Sequence, residues 1–566
     1  DLQINDCNSN LLIYKEKLFL NKNISYWTSF KFAKNIIYGD VFIKFLKDDV
    51  VVFNKKYKIN NAPSNAAILL KDMKFESDFD CASYVEVFII NQYNKYGISV
   101  EKDDVVVDIG GNLGAFIKLS LLNKCKKIYC CEPNPNCIKL IKKQYGDNYE
   151  LILNEYAISD SAGINYLKLD INNKVSGSSQ LINAEAFCKE DNNLIEVKTN
   201  TFANFIKENN IQKIDYLKVD CEGGENFIFN KDNIEFIKNN VKKIAVEYHN
   251  KYKDEIKKLL IDSGFLVIEE SFSTNLGFLY ASRFINIANE SGSLGDAIAW
   301  TPIVNKYAEE NKSKVNFFTP YKDLFINSYP MINFFDYELK PKNNIISIGC
   351  FDEKIWRPLS LQQIASDILK LENKEVNCKL DFDKNKKSNF NKKYVCIATQ
   401  STLQCKYWNN KNGWIEVVNY LNELGYDVVC IDRHENFGLS PNHMNNIPHN
   451  AINKTGDFSL HDRINDLYHC EFFIGLGSGL SWLAWACEKP VIMISGFSDP
   501  KSEFNTPYRI HNKNVCNSCW NDPSLAFERE NWLWCAKNKD FECSREITFD
   551  MVKEKIDLCI QDSSKK

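Results

Sequence analysis

Val105-Val106-Val107-Asp108-Ile109-Gly110-Gly111-Asn112-Leu113-Gly114 decides the fold of the first half of the chain. A short β-branched run ends in an Asp, a glycine-rich turn follows, and NLGAFIKLSLLN then takes helical spacing. The pattern repeats outward. KIYCCEP (127–133) reads as a strand and PNCIKLIKKQY (135–145) as a helix. IDYLKVD (214–220) is a strand with helical sequence after it through NIEFIKNN. KKIAVEYH (242–249) is a strand, and KDEIKKLLIDSG (253–264) a helix ending at Gly264. GFLVIEE and LGFLYASRF have no helix between them and read as an antiparallel pair. Strand–helix alternation predicts an α/β fold with a mostly parallel, covered sheet.

A second series begins near residue 284: strand FINIA, helix GDAIAWTPIVNKYAEEN, strands VNFFT and IISIG, helix LQQIASDILKL. After polar 381–393 a third series runs YVCIATQ, GWIEVVNYLNELG, YDVVCID, LHDRINDLYHC, EFFIGLG, SGLSWLAWACE and KPVIMISG. Two Rossmann-like units joined this way make a cleft. Residues 1–80 instead hold alternating segments, NISYWTSF, DVFIKFL and DDVVVFNKKYKI, which read as β-hairpins. The expected organisation is a β-rich region at 1–80 and a Rossmann-like domain at 81–282. Two Rossmann-like subdomains at 283–385 and 386–515 follow, then a cysteine-bearing region with a C-terminal helix at 516–566.

Composition narrows the function. The chain has 566 residues, 44% hydrophobic and 25% charged, and so reads as globular. Its 70 basic and 74 acidic residues leave a net charge of −4, with no field to draw nucleic acid or anionic membrane. No apolar run reaches the ~18 residues a membrane span needs. The polar start DLQINDCNSN does not read as a signal peptide, and without a Met the chain reads as a fragment or a trimmed protein. A cytoplasmic setting follows, in which the 20 cysteines are thiols or metal ligands. All seven Arg lie at Arg283 or later, which fits a Lys/Asn codon bias and two halves of separate history.

Three sites stand out. In the first, Asp108, Gly110, Asn112 and Gly114 form a close-approach loop, and Glu132 ends the second strand 18 residues after Gly114, where a carboxylate can take both ribose hydroxyls. The ligand is a dinucleotide or S-adenosylmethionine. With Asn154–Asp160 and Lys218–Glu225, which carries Asp220, this set resembles the FkbM family of S-adenosylmethionine-dependent O-methyltransferases. The resemblance implies that Asp108, Gly110 and Gly114 line the methionine end of the cofactor. Glu132 would hold the ribose and Asp220 would close the site. Gly111 and Gly224 stand where the family commonly has Ala. Methyl transfer needs positioning and a base, for which Asp220, Glu222, Glu247 and His249 are candidates; a helix-entry histidine is the competing account of His249.

The second site is the cleft of the C-terminal half. Gly295 and Asp296 open a helix; Asp296 is either a base aimed at an acceptor alcohol or a helix-start carboxylate favoured by the dipole. Gly475–Ser481, with Gly477, Ser478 and Gly479, follows a strand and opens a helix, a place for phosphate oxygens. It lacks the Lys-Ser/Thr of a P-loop. Thr399, Ser401, Gln404 and Lys406 follow strand YVCIA, and Lys406 offers a positive charge to a diphosphate leaving group. No Asp-x-Asp stands near a cleft loop. Trp482 and Trp485 read as core, and Trp300 as core or cleft. These residues suggest transfer from a sugar nucleotide.

The third is Cys516-x2-Cys519 with Cys535 and Cys543, a closed tetrahedral set that suits zinc or iron and reads as structural. GSLGDAIAW, KYWNNKNGW, FFIGLGSGLSWLAWACEKPVIMISGFSDPKSEF, CNSCWND, WLWC and FECSREIT, spread over about 284–560, resemble the autotransporter heptosyltransferase family. The resemblance implies a GT-B fold, ADP-heptose as donor and Ser hydroxyls of a bacterial surface adhesin as acceptor. It further implies Asp296 as base, Lys406 on the donor diphosphate, iron rather than zinc at the cysteines, and a ring-like homo-oligomer. The whole reading is a two-headed glycosylation enzyme. Its rivals are a surface-polysaccharide glycosyltransferase with another acceptor, and a methyltransferase-like half that only docks a substrate. A nucleic-acid methyltransferase is disfavoured by the absence of a basic stripe.

Overall fold

The computed structural model describes residues 80–88, 90–169, 194–249, 252–439 and 444–565, with the backbone of strands at 2–6, 12–16, 39–47, 50–59 and 180–182. The chain divides into two compact units, Asp1–Phe284 and Ile285–Lys566.

In the first unit a seven-stranded sheet runs Leu266–Ser273, Leu276–Ser282, Val241–Tyr248, Ile214–Val219, Val105–Ile109, Lys127–Cys131, Leu151–Asn154. The last five are parallel, and the pair read as antiparallel is so. The chain leaves strand Val105–Ile109 to one side through Lys127–Cys131 and returns on the other side at Ile214–Val219. Order reverses there, so the loops after Ile109 and Val219 open at a switch point, where such sheets hold ligands. Strand Ile214–Val219 is buried at every position, as expected of a strand covered on both faces. A smaller sheet, Gln180–Ile182, Gly163–Lys168, Leu194–Asn200 and Ala157–Ile158, was not anticipated. Near the N-terminus, Gly39–Lys47 and Val50–Ile59 pair as a hairpin and extend to Leu2–Asp6 and Leu12–Glu16. The segment 23–30, read as a strand, lies outside the described residues.

The second unit has two parallel sheets. One orders Ile332–Phe335, Val315–Phe318, Ile285–Asn289, Ile345–Ile348. The other orders Ile452–Asn453, Asp427–Cys430, Tyr394–Ile397, Phe473–Leu476, Val491–Ile494, Arg509–Ile510. One apolar core joins them, from Ile287 and Ile298 on the first side to Cys396, Phe473 and Leu483 on the second. Trp300 is fully buried and donates Nε1–H to the Leu361 carbonyl at 2.8 Å, so it is core. Trp482 is core as expected. The C-terminal helix Phe549–Ser564 starts at Thr548, whose side chain accepts from Met551 N, and buries Val552, Ile556 and Cys559 against Val417, Val418 and Leu421. Among the described residues no helix is long and apolar enough to cross a membrane.

Candidate functional site

Two helices meet N-terminus to N-terminus in the second unit. Leu294–Glu310 follows the first sheet and Gly479–Ala486 follows the second. Glycine makes the approach possible. A Cβ on Gly295 would lie 2.9 Å from Trp482 Cδ1, and one on Gly479 would lie 3.1 Å from Leu294 Cβ. Between the two sheets lies a cavity of about 1130 Å³. Gly295, Asp296, Ser401, Lys406 and Gly477–Gly479 all line it.

Asp296 takes a hydrogen bond from the Ser291 hydroxyl. Burial raises its pKa above the usual carboxylate range; the Ser291 bond and the charges of Lys406 and Arg529 pull the other way. That balance suits a group that must be ionised yet basic enough to take a proton. Opposite it, Ser478 caps its helix without a side-chain bond to the helix; the N–H groups of Ser481 and Trp482 meet the Ser478 carbonyl, and those of Gly479 and Leu480 at the helix start are the ones placed for an anion. The Lys406 ammonium lies 5.8 Å from the Phe497 ring centroid, partly stripped of water.

Two residues named from sequence do not line the cavity. Thr399 is buried behind the wall, where its N–H and hydroxyl reach Asp432 at 2.7 and 2.9 Å. Gln404 is buried too, its amide on Asn409 Oδ1 at 2.6 Å. Both side chains shape their loop rather than face a ligand. Conversely, Arg357, Arg433 and Arg529 line the cavity and were not singled out; the scarcity of Arg was the only signal. Arg357 holds the far wall. Its guanidinium donates to the carbonyls of Trp520 (2.6 Å), Leu525 (2.6 Å), Cys519 (2.8 Å) and Asp522 (3.2 Å) and lies 5.2 Å from the Trp520 ring.

That wall belongs to the cysteine region. Cys516, Cys519 and Cys535 are half-buried and Cys543 is buried, all as free thiols. Burial and neighbouring negative groups push Cys516 up to about 11 and Cys543 to about 12, the latter under the influence of Cys516, Cys519, Cys535 and Cys405. The convergence of Cys405, beside Lys406, was not foreseen. Four soft donors that repel one another as thiolates fit a cation such as iron or zinc. Among the described residues no three of these sulfurs lie within 4.8 Å of one another, a looser array than a closed site requires.

In the first unit the glycine loop closes on the end of strand Ile214–Val219. Gly110 has φ +87°, and a Cβ there would overlap the Asp220 carbonyl. Gly114 has φ +82° and starts helix Ala115–Leu122. Buried Lys218 sits between Asp108 (3.1 Å) and Asp220 (3.6 Å) and donates to the Gly110 carbonyl. Glu132 accepts from Asn112 N (2.7 Å) and Asn134 N (2.8 Å), so the ribose-type carboxylate also shapes the loop. Burial pushes Glu132 up to about 7, against those two N–H groups. Asp220 accepts from Tyr93 Oη at 3.0 Å. Beyond it stand Glu222, Glu247 and His249. Burial, then Asp220, raises Glu247. Burial alone would lower His249, but its bond to Glu225 and the nearby carboxylates bring it up to about 9. His249 and Glu247 are thus both held protonated around neutral pH, whereas burial brings Glu222 only to about 7, so among the candidates Glu222 is the one poised to accept a proton.

Comparison with known proteins agrees with this geometry. Residues 108–280 match the Methyltransferase FkbM domain, and residues 341–534 match glycosyltransferase family 9 (heptosyltransferase). The chain is 40% identical over 287 residues to autotransporter heptosyltransferase BAHTCr of Citrobacter rodentium, a match covering 48% of this chain and 69% of the relative. The chain belongs to the autotransporter heptosyltransferase family. Another autotransporter heptosyltransferase, TibC of Escherichia coli O78:H11, is 39% identical over 283 residues, 47% of this chain and 69% of that protein. A crystal structure of TibC, described as an iron-containing dodecameric glycosyltransferase, is 37% identical with a TM-score of 0.47, covering 50% of this chain and 79% of that one. This heptosyltransferase-family chain is thus a glycosyltransferase that also carries an FkbM methyltransferase domain.

Proposed function

We propose that the second unit transfers heptose from ADP-heptose to Ser hydroxyls of a surface autotransporter adhesin, and that the first unit uses S-adenosylmethionine to methylate a sugar hydroxyl. The observation that carries the first part is Asp296 facing Lys406 and the Gly477–Gly479 loop across one cavity. The serine oxygen attacks the anomeric carbon as the bond from that carbon to the diphosphate breaks. The hydroxyl proton passes to the Asp296 carboxylate, and ADP leaves with its charge met by Lys406, Arg529 and the N–H groups at the start of helix Gly479–Ala486. Gly295, Ser401 and Ser478 shape the floor, while Thr399 and Gln404 brace it from behind.

For methyl transfer, Gly110, Asn112 and Gly114 cradle the cofactor, Glu132 takes the ribose hydroxyls, and Asp108 and Asp220 hold Lys218 against the loop. S-adenosylmethionine would supply an already activated methyl group. Glu222 would accept the acceptor's proton. A metal, iron or zinc, would be held by Cys516, Cys519, Cys535 and Cys543. It would supply a cross-link that fixes the wall bearing Trp520, Phe527 and Arg529. A cytoplasmic homo-oligomer acting on the adhesin before export completes the reading. Co-expression with an adhesin, followed by glycopeptide mapping, tests it: heptose on Ser with a methyl on that heptose is the expected product, and a modified glycan with a bare adhesin would shift the acceptor to surface polysaccharide.

A further inference from the structure

Asp296 is the third residue of helix Leu294–Glu310, whose cap is Ser293. A carboxylate in that place commonly turns back to the N–H of the cap residue. Here that N–H is already taken. Ser293 N donates to Ser291 Oγ at 3.1 Å, and Ser291 Oγ in turn donates to Asp296 Oδ2. With one N–H coming in, the hydroxyl's own proton is directed onto the carboxylate. Among the described residues no other group donates to Asp296, so Oδ1 is left for a ligand in the cavity that the residue lines.

The loop bearing Ser291 is held from the neighbouring strand. Asn289, fully buried at the end of strand Ile285–Asn289, accepts from Ser291 N at 2.9 Å and reaches Thr319 Oγ1 with its amide at 3.5 Å. Tyr321 Oη donates to the Gly292 carbonyl at 2.7 Å. Thr319 and Tyr321 follow strand Val315–Phe318, which pairs with Ile285–Asn289. The charged and titratable groups that face Asp296 are Lys406 and Arg529 across the cavity, with Tyr321 and Cys350 beside it. Adjacent Glu290 is bound to Lys340, Tyr337 and Ser347 instead. Burial raises the Asp296 carboxyl, and of the influences that lower it the Ser291 bond comes first.

We infer that Ser291 is a positioning residue for sugar transfer: it occupies the cap N–H and one oxygen of Asp296, and so keeps the other oxygen for the acceptor hydroxyl. The inference rests on Asp296 acting as the base. The acceptor oxygen bonds to the anomeric carbon, the bond from that carbon to the diphosphate breaks, and the acceptor proton moves to Oδ1. Ser291 keeps its own proton throughout. Its hydrogen bond favours the ionised carboxylate before the step and holds its orientation during it.

The test is the pH profile of ADP release from ADP-heptose, with purified adhesin as acceptor and with water alone. Ser291→Ala should lower kcat about tenfold and leave the donor KM nearly intact. It should also move the acid limb of kcat up by about one pH unit, because without its donor the carboxyl holds its proton to higher pH. Ser291→Thr keeps the hydroxyl and should restore the limb. Tyr321→Phe loosens the loop without touching the carboxylate, and should lower kcat with the limb unmoved. An acid limb that stays in place in Ser291→Ala, or moves as far in Tyr321→Phe, overturns the role of Ser291. Should Ser291→Ala lose its cooperative unfolding transition, Ser291→Cys, a weaker donor of similar shape, gives the same reading with a smaller shift. Asp296→Asn separates the two claims. Wild-type turnover in that variant overturns the base, whereas an inactive Asp296→Asn beside an unshifted Ser291→Ala removes Ser291 alone. A wild type that releases no ADP with either acceptor overturns both.

Discussion

The chain carries two glycine loops at the ends of parallel strands, and the two differ in the cations set around them. The loop at Gly110–Gly114 faces Asp108, Glu132, Asp220, Glu222 and Glu247, with Lys218 as the buried counter-charge. The loop at Gly477–Gly479 shares its cavity with four cations, Lys406, Arg357, Arg433 and Arg529, beside the carboxylates Glu290, Asp296, Glu353, Asp432 and Glu503. Backbone geometry is similar because both need close approach at a helix start. On the proposed function the side chains around it differ because one ligand would be a sulfonium cation and the other a diphosphate anion. A glycine loop thus says that something binds, and the charge around it says what.

Four changes would break or sharpen that contrast. Asp296→Asn removes the proton acceptor and should lower kcat for sugar transfer by about 10² to 10⁴-fold with donor affinity nearly intact, read by steady-state kinetics and donor calorimetry. Lys406→Ala strips the anion site of one cation and should cost about 10² to 10³-fold in kcat without altering S-adenosylmethionine binding. Glu132→Gln acts only at the other loop and should weaken S-adenosylmethionine about tenfold. Because burial holds Glu132 at about 7, its ionised fraction grows through neutrality. Wild-type affinity should therefore rise from about pH 6 to about pH 8, and the Gln variant should be flat by calorimetry. Arg357→Ala leaves four backbone carbonyls without their donor. Its main effect should be a thermal midpoint lowered by several degrees, with a smaller loss of turnover.

Much of the fold was legible. Strands such as Val105–Ile109 and Phe473–Leu476 are short apolar runs before glycine loops, and helices such as Gly413–Glu423 keep a clear apolar stripe. The two-residue strands Ile452–Asn453 and Arg509–Ile510 were not legible, since two residues carry no period. Ile332–Phe335 was lost in a run of aromatics and Asn. In the sites, Asp296 and Lys406 were legible because each stands in the loop-to-helix stretch that follows a strand. Thr399 and Gln404 looked equivalent to Ser401 in sequence, and only the turn of the loop sends the first two inward. Contacts such as Arg357 with Trp520, 163 residues apart, leave no local pattern. The same holds for the pairing of Glu225 with His249, 24 residues on.

Intact mass spectrometry of an adhesin co-expressed with the wild-type chain or with Asp296→Asn tests the central claim most directly. A heptose mass increment on the adhesin, accompanied by a methyl increment and absent with the variant, is the predicted result. An adhesin equally modified by the Asp296→Asn chain would contradict the account, because the cleft would then transfer sugar without its base.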